Sequence, residues 1–329
     1  MVNAKKYALI DLHLHLDGSM SLECARSLAA KQEIALPDDA ELLSRLRVSE
    51  DCRDLNEYLE RFALPLSLLQ TADAVSEAVE RLCNELCEQG LIYAEIRFAP
   101  QLHCQRGLTQ EEVVLAAIDG LSRGKLDASL ILCCMRGNNN HKENIENVRL
   151  TGKYLGKGVC AVDLAGAEAL FPNENFVDVI EYAKSLSLPM TLHSGEALGA
   201  DSVASAIELG ANRIGHGVRS IENAELLPIL AQKKIALELC PTSNLNTRVF
   251  DSLSDYPIRK FLDAGVMITL NTDNTSVSAT SLANEYQKIA DTFSLTNDEL
   301  KALALNSARA TFLDETAKSK LIDKIESNF

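Results

Sequence analysis

Short apolar runs alternate along the chain with longer segments in which apolar residues recur every three or four positions. The short runs are apolar throughout, which is typical of parallel strands that are covered on both faces. The longer segments have the period of amphipathic helices, as at 109–123, 173–187, 201–210 and 223–234. Eight strands are predicted, at 7–12, 91–98, 128–135, 158–164, 188–193, 212–216, 234–240 and 266–271.

This order of elements favours an α/β fold of the TIM type, a (β/α)₈ barrel. An open doubly wound sheet fits less well, because no glycine-rich phosphate loop follows the first strand. We expect residues 1–329 to form a single catalytic barrel domain, since α/β barrels often reach this length as one unit.

Two additions to a minimal barrel are predicted. A helical insertion follows strand 1, with helices expected at 21–32, 54–70 and 73–89, and it would cover the barrel mouth. Extra C-terminal helices are expected on the exterior or the floor, at 279–293, 297–312 and 314–327. In 54–70 the apolar residues form one helical stripe, which indicates core packing or, alternatively, an apolar lid that includes Leu59 and Phe62.

Charge and cysteine content narrow the possible partners and the compartment. The net charge of −15 argues against nucleic-acid or membrane partners, because phosphate binding needs clustered Lys and Arg. Nine cysteines, an odd number, do not indicate a disulfide framework, so we expect a reducing, cytoplasmic location. The apolar stretch near the N-terminus is too short for a signal peptide or a membrane span. The oligomeric state is not indicated.

Four histidines and one aspartate stand near the C-terminal ends of predicted strands. They are His13 and His15 in IDLHLHLDG, His193 in PMTLHSGE, His216 in RIGHGV and Asp273 in ITLNTDN. In a parallel barrel these strand ends build the active site. The H-x-H spacing directs both rings to one side of the strand. Alone this pair would more often be structural, but in this company three imidazoles and a carboxylate could converge on one divalent metal.

Six short motifs, in their order along the chain, resemble those of the adenosine deaminase group of the amidohydrolase superfamily, and the resemblance covers nearly the whole chain. The motifs are HLHLDGS, DLAGAE, HSGE, RIGHG, ELCPTSN and NTDN. The resemblance implies that His13, His15, His193 and Asp273 hold one Zn²⁺ per chain. Relatives with two metals generally carry a bridging lysine at the end of the fourth strand, and GVCAVDLAG offers none.

The same resemblance implies hydrolysis of adenosine, and of 2′-deoxyadenosine, to inosine and ammonia in purine salvage, with a purine nucleoside and water as the partners. Zinc lowers the pKa of bound water toward about 7, which generates the nucleophile for C6. Glu196 matches the proton donor to purine N1, which requires a pKa raised by burial. His216 matches the residue that orients or deprotonates the water, and both roles stay open.

Four substrate contacts carry over from the family. His15 is expected beside the substrate as well as the metal, Asp17 at the ribose 5′-hydroxyl, and the Gly166 backbone at purine N3. Asn274 stands where many members have a second Asp that contacts N7, and its amide can donate to N7 without prior protonation. The simpler interpretations are a loop cap for Asp17 and a turn for Gly166.

Other functions remain as alternatives. One is deamination of a related aminopurine such as adenine, an N6-substituted AMP or aminodeoxyfutalosine. Asp17 argues against a nucleotide, and the HLDG form argues against a free base, for which members tend to carry Glu at that position. A multi-metal phosphoesterase would need more histidines, and a non-catalytic binding module would be expected to lose Glu196 or His216. Glu95, Arg97 and Glu238 are expected to form ion pairs in the barrel, and Cys240 to be structural.

Overall fold

The computed structural model describes residues 4–49 and 51–329. It contains eight strands, and each coincides with a predicted run or overlaps it. All neighbouring strands are parallel and follow chain order in two four-stranded sheets. The strands are Leu9–His15 (β1), Leu91–Phe98 (β2), Ala128–Met135 (β3), Val159–Ala165 (β4), Thr191–Ser194 (β5), Arg213–His216 (β6), Ala236–Leu239 (β7) and Ile268–Leu270 (β8).

Two short parallel bridges join the sheets into a barrel. Val162 pairs with Met190 between β4 and β5, and Leu14 of β1 pairs with Asp273, just beyond β8. At this second seam the Asp273 N–H donates to the His13 carbonyl, and the His15 N–H donates to the Asp273 carbonyl, both at 2.8 Å. The predicted (β/α)₈ barrel is confirmed, although β1 extends to His15 and so includes both of its histidines.

Polar N-caps define where many of the helices begin. Thr109 and Thr296 each form a capping box with a glutamate three residues later, which satisfies backbone N–H groups that lack partners in the first turn. No helix in the described part of the chain is long and apolar enough to cross a membrane. The helices are Leu22–Lys31 (α1), Asp39–Leu46 (α2), Leu55–Leu59 (α3), Ala63–Leu68 (α4), Ala72–Glu88 (α5), Gln110–Arg123 (α6), His141–Tyr154 (α7), Val177–Ser185 (α8), Ala200–Glu208 (α9), Leu226–Lys233 (α10), Pro241–Asn246 (α11), Ile258–Asp263 (α12), Leu282–Phe293 (α13), Asn297–Ala310 (α14) and Glu315–Ser327 (α15).

The helix expected over 54–70 is broken, and that prediction was wrong in detail. The structure has α3, a 3₁₀ turn at Glu60–Phe62, and α4. Pro65 explains the break, because it lacks an N–H and its ring excludes the carbonyl four residues earlier. We call residues 55–68 the cap segment. Its Tyr58 packs with Cys52 and Val277 in a small cluster that is separate from the main core, and the Tyr58 hydroxyl lies 2.7 Å from Ser278 Oγ.

The barrel interior contains a network of buried charges. Arg97 Nη1 lies 2.8 Å from Asp163 Oδ2, and Arg97 Nη2 lies 2.8 Å from Glu238 Oε2. Arg213 bridges Glu238 and Glu95, with both N···O distances at 2.6 Å. Each carboxylate therefore faces a guanidinium, which offsets the cost of removing these charges from water. The expected ion pairs of Glu95, Arg97 and Glu238 are confirmed.

The C-terminal helices close the end of the barrel opposite the mouth. Arg213 Nη1 donates to the Ala310 carbonyl at 2.8 Å, and the Phe312 N–H donates to Glu95 Oε1 at 2.8 Å. The Arg213 guanidinium also lies 3.8 Å from the centre of the Phe312 ring. The turn between α14 and α15 thus forms part of the floor, and α14 packs against β8 and β1.

Candidate metal and catalytic site

Four side chains that could hold a metal ion converge at the C-terminal mouth of the barrel. The candidate donor atoms of His13, His15, His193 and Asp273 all lie within 4.8 Å of one another. His15 Nε2 is 3.3 Å from His193 Nε2, and Asp273 Oδ1 is 3.3 Å from His15 Nε2 and 3.4 Å from His13 Nε2. Donor atoms at these separations can bind one metal ion at ligand distances of about 2.0–2.2 Å. These spacings suit a divalent transition metal.

Neighbouring polar groups orient these donors. His13 Nδ1 lies 2.7 Å from Glu238 Oε2, and His193 Nδ1 lies 2.9 Å from Asp163 Oδ2. Each carboxylate holds a proton on Nδ1, which leaves the Nε2 lone pair directed at the cluster. His13 Nε2 is buried and has no hydrogen-bond partner among the described residues, as expected of an atom placed for a metal.

The carboxylate of the cluster is oriented in a similar way. Ser243 Oγ donates to Asp273 Oδ2 at 2.6 Å, so that Oδ1 faces the histidines. Asp163, Glu238 and Ser243 thus act on the cluster through hydrogen bonds. The sequence analysis gave none of them this role, and the only signal was their position at or just beyond strand ends.

Two residues of this mouth adopt left-handed backbone conformations. The φ angles of His216 and Asp273 are 58° and 61°. This region is uncommon for residues other than glycine, although His, Asn and Asp enter it more often than most. Such conformations concentrate at functional sites, where the surrounding structure holds them in place. Here each one turns the chain sharply at the end of a strand while the side chain stays in the cavity.

Glu196 lies beside His216 and is almost completely buried. Glu196 Oε2 is 3.5 Å from His216 Nε2, and only 6% of the residue is exposed. Burial raises the pKa of Glu196 well above its ordinary value, and the nearby charges of Asp273 and Glu168 act in the same direction. Burial also lowers the pKa of His216 well below its ordinary value. Burial therefore favours the protonated carboxyl of Glu196 and the neutral imidazole of His216.

Glu168 holds the loop that carries Glu196. Its carboxylate accepts hydrogen bonds from four consecutive backbone N–H groups, those of residues 195–198, at 2.7–3.1 Å. Ser202 Oγ donates to the same carboxylate at 2.5 Å. This role of Glu168 was not predicted from the sequence, where the acid at the end of the DLAGAE motif was the one possible indication of it. The loops after β4 and β5 are thereby fixed to each other.

One cavity, with a volume of about 230 Å³, joins these groups. The polar part of its lining, which we call the polar wall, contains all of the site residues expected from the sequence except His13. The apolar part, which we call the apolar wall, includes five residues of the cap segment. The only charged side chains that can line the cavity, within the described chain, are acids and histidines. The polar wall comprises His15, Asp17, Gly166, His193, Glu196, His216, Asp273 and Asn274; the apolar wall comprises Leu55, Tyr58, Leu59, Phe62, Leu66, Phe98, Ala99, Leu102, Cys133, Met135 and Ala165.

The candidate substrate contacts are buried at the polar wall. Burial raises the pKa of Asp17 to about 6. Gly166 has a φ of 108°, a conformation that side chains disfavour, and it exposes backbone to the cavity. Asn274 packs directly on Gly18, where an added Cβ would lie 1.7 Å from Asn274 Oδ1. Gly18 is therefore required for this position of the Asn274 amide.

Comparison with known proteins gives similarity over almost the whole chain. The family model described as "Adenosine deaminase" matches residues 8–328. An adenosine deaminase of Haemophilus ducreyi is 48% identical over 98% of this chain and 97% of its own length. One of Enterococcus faecalis is 41% identical, over 97% and 96%. The crystal structure of an N6-mAMP deaminase from Arabidopsis superposes with a TM-score of 0.86 at 27% identity, covering 98% of this chain and 99% of its own.

Proposed function

Because this chain belongs to the adenosine deaminase family, whose members depend on a metal, we propose that it hydrolyses adenosine to inosine and ammonia. 2′-Deoxyadenosine is the second proposed substrate, and purine salvage is the proposed setting. The observation that carries the proposal is a single cavity in which the buried Glu196 carboxyl faces His216 beside four metal donors.

We propose His13, His15, His193 and Asp273 as the ligands of one Zn²⁺. Three imidazoles and a carboxylate suit zinc, and the donor spacings of 3.3–3.4 Å support this assignment. Bound zinc would supply Lewis acidity and would lower the pKa of a water toward about 7.

Glu196 and His216 are the proposed catalytic residues. The Glu196 carboxyl donates a proton to purine N1, which makes C6 electrophilic enough for water to add. His216 holds the attacking water. The oxygen of water adds to C6, and the C6–N bond then breaks. One proton of water passes to the amine, which leaves as ammonia, and the other returns to Glu196, so that the oxygen remains on C6 as a carbonyl. Burial supports the first step, because it raises the pKa of Glu196 and so favours the protonated carboxyl.

We propose that Asp17 binds the ribose 5′-hydroxyl, that the Gly166 N–H donates to N3 and that Asn274 donates to N7, with His15 bordering the substrate. All four line the cavity. Among the described residues no Lys or Arg lines it, so a 5′-phosphate would meet the Asp17 carboxylate without a compensating cation. This charge arrangement favours a nucleoside over an N6-substituted AMP, the substrate class of the Arabidopsis protein. Adenine and aminodeoxyfutalosine remain alternative substrates.

We further propose that residues 1–329 act as one catalytic domain in the cytoplasm, without nucleic-acid or membrane partners. The continuous ring of strands supports the first point. Nine free cysteines fit a reducing compartment, and a net charge of −15 disfavours polyanionic partners.

The proposal is tested by ammonia release from zinc-loaded protein with adenosine, 2′-deoxyadenosine, adenine, N6-methyl-AMP and guanosine. We expect turnover of the two adenine nucleosides and little with the other compounds. Turnover of adenine or N6-methyl-AMP alone would replace the proposed substrate, and no turnover of any adenine nucleoside would exclude the proposed reaction.

Glu196→Gln is the matched control in the same assay. We expect it to lose turnover and to keep its full zinc content, because Glu196 is proposed as an acid and not as a ligand. A variant that lost the metal would show that Glu196 had been given the wrong role.

A further inference from the structure

A buried amide occupies the side of His216 that faces away from the cavity. Asn244 lies in α11 and is completely buried. Its Nδ2 is 3.1 Å from His216 Nδ1. Backbone hydrogen bonds fix Asn244 on both sides, with its N–H donating to the Cys240 carbonyl and its carbonyl accepting from the Val249 N–H, both at 2.9 Å. The amide therefore has little freedom to move relative to the ring.

Tyr256 determines which end of the amide faces His216. The Tyr256 hydroxyl lies 2.8 Å from Asn244 Oδ1. The hydroxyl is the donor of this hydrogen bond, and burial, which raises the pKa of the Tyr256 phenol well above its ordinary value, favours the protonated form that can donate. Asn244 Oδ1 accepts the hydrogen bond, which leaves Nδ2, a group that can only donate, directed at His216.

This arrangement dictates the position of the proton on His216. An N–H donor facing Nδ1 requires a lone pair there, so the neutral ring must carry its hydrogen on Nε2. An imidazolium would place two N–H groups against each other. His13 and His193 have the opposite arrangement, because carboxylates face their Nδ1 atoms. The site thus contains both imidazole tautomers, and the partner of Nδ1 selects each one.

We propose that Asn244, oriented by Tyr256, is a positioning residue that holds His216 as a hydrogen-bond donor through Nε2–H. The consequence for catalysis rests on the proposed function. With no lone pair on Nε2, His216 orients the attacking water and stabilises negative charge, and it does not remove the proton of the water. That proton goes to the Glu196 carboxylate, which can accept it once Glu196 has protonated N1. The Glu196 Oε2 atom, 3.5 Å from His216 Nε2, lies on the same side of the ring.

The proposal is tested by determining the tautomer of His216 with long-range ¹H–¹⁵N NMR of zinc-loaded protein labelled with ¹⁵N-histidine. The His216 signals are identified by their loss in His216→Gln. We expect Nε2 to appear as the protonated nitrogen and Nδ1 as the nitrogen with the lone pair. Wild-type His216 protonated at Nδ1 would overturn the proposal, whether or not the protein deaminates adenosine.

Two variants add a functional readout. Asn244→Asp presents only acceptors to Nδ1, so we expect the hydrogen to move to Nδ1 and kcat to fall by about 10–100-fold, with KM much less affected. Tyr256→Phe leaves the amide free to flip and should give mixed tautomers with a smaller loss. An Asn244→Asp protein with unchanged tautomer and kcat would overturn the proposal. If Asn244→Asp does not fold, the NMR spectrum of Tyr256→Phe tests the proposal instead, and an unchanged His216 tautomer in that variant would overturn it.

Tyr93→Phe is the matched control for Tyr256→Phe. It removes another buried phenol hydroxyl, near the N-terminal end of β2 and away from the mouth. We expect its His216 signals and its kcat to match those of the wild type. Equal changes in both variants would mean that the effect is structural and would overturn the role of Tyr256.

Discussion

Asn274 is the residue that we propose to contact purine N7. Its amide rests on Gly18 and lines the cavity, and its Oδ1 is buried without a hydrogen-bond partner among the described residues. We expect Asn274→Ala to raise KM for adenosine by about 3–10-fold, the equivalent of one neutral hydrogen bond. Steady-state kinetics would measure this.

7-Deazaadenosine is the matched substrate for this prediction, because it lacks the N7 acceptor. The wild type should already bind it weakly, and Asn274→Ala should add little. An equal rise in KM for both substrates, or unchanged kinetics with adenosine, would mean that Asn274 does not contact N7.

At the residue scale, the sequence could predict groups that end strands but not the groups that orient them. His13, His193 and Asp273 lie within three residues of the C-terminal ends of strands, and a parallel barrel brings such ends together. The partners Asp163 and Ser243 reach these residues across neighbouring segments. Their roles depend on the directions in which their side chains point, and one amino-acid sequence does not reveal these directions.

Among the elements, the loops after β4 and β5 are coupled through Glu168. Glu168→Gln replaces an acceptor oxygen with an NH₂ group that faces backbone N–H donors. We expect the loop carrying Glu196 to shift and kcat for adenosine to fall by about tenfold or more, while the zinc content stays the same. Turnover measured alongside metal analysis would test this.

Glu174→Gln serves as the control, because this neighbouring acid is exposed and accepts a surface hydrogen bond from Ser205. It should leave kcat unchanged. If Glu168→Gln also kept full activity, the four backbone hydrogen bonds would not position Glu196.

The cap segment marks the limit of prediction for elements. The periodic stripe in 54–70 correctly indicated helix, and the lid alternative agrees with the place of Leu59 and Phe62 in the apolar wall. The break at the 3₁₀ turn was missed, because apolar periodicity continues through Pro65 while the backbone hydrogen bonds cannot. Strand positions were easier, since long apolar runs leave few alternatives.

For the whole molecule, breaking the interior charge network should be strongly destabilising, because it leaves buried carboxylates without a cation. Burial alone would raise the pKa of Glu238, but Arg97 and Arg213 hold it well below its ordinary value. Arg97→Met removes the cation between Glu238 and Asp163 and should lower the free energy of unfolding by about 3–5 kcal/mol near pH 7. Urea unfolding of the metal-free proteins would measure the loss.

The same variant should show an inverted pH dependence. Without Arg97, the buried carboxylates have pKa values above those of the unfolded chain, so acid favours the folded variant. The difference in the free energy of unfolding between the wild type and Arg97→Met should therefore decrease from pH 7 toward pH 5. Arg53→Met, which removes an exposed ion pair, should change little at either pH. A difference that increased in acid would contradict this account.

The seam between β1 and the segment after β8 has a kinetic consequence. Its backbone hydrogen bonds join His13 and His15 to Asp273. An ion held by the side chains of these residues would therefore cross-link the first strand and the segment after the last strand. A partly folded chain whose last strand has not docked offers an incomplete set of ligands. Metal would therefore bind late in folding and would dissociate only when the first and last strands separate. Slow exchange of the ion would then be a property of the barrel as a whole.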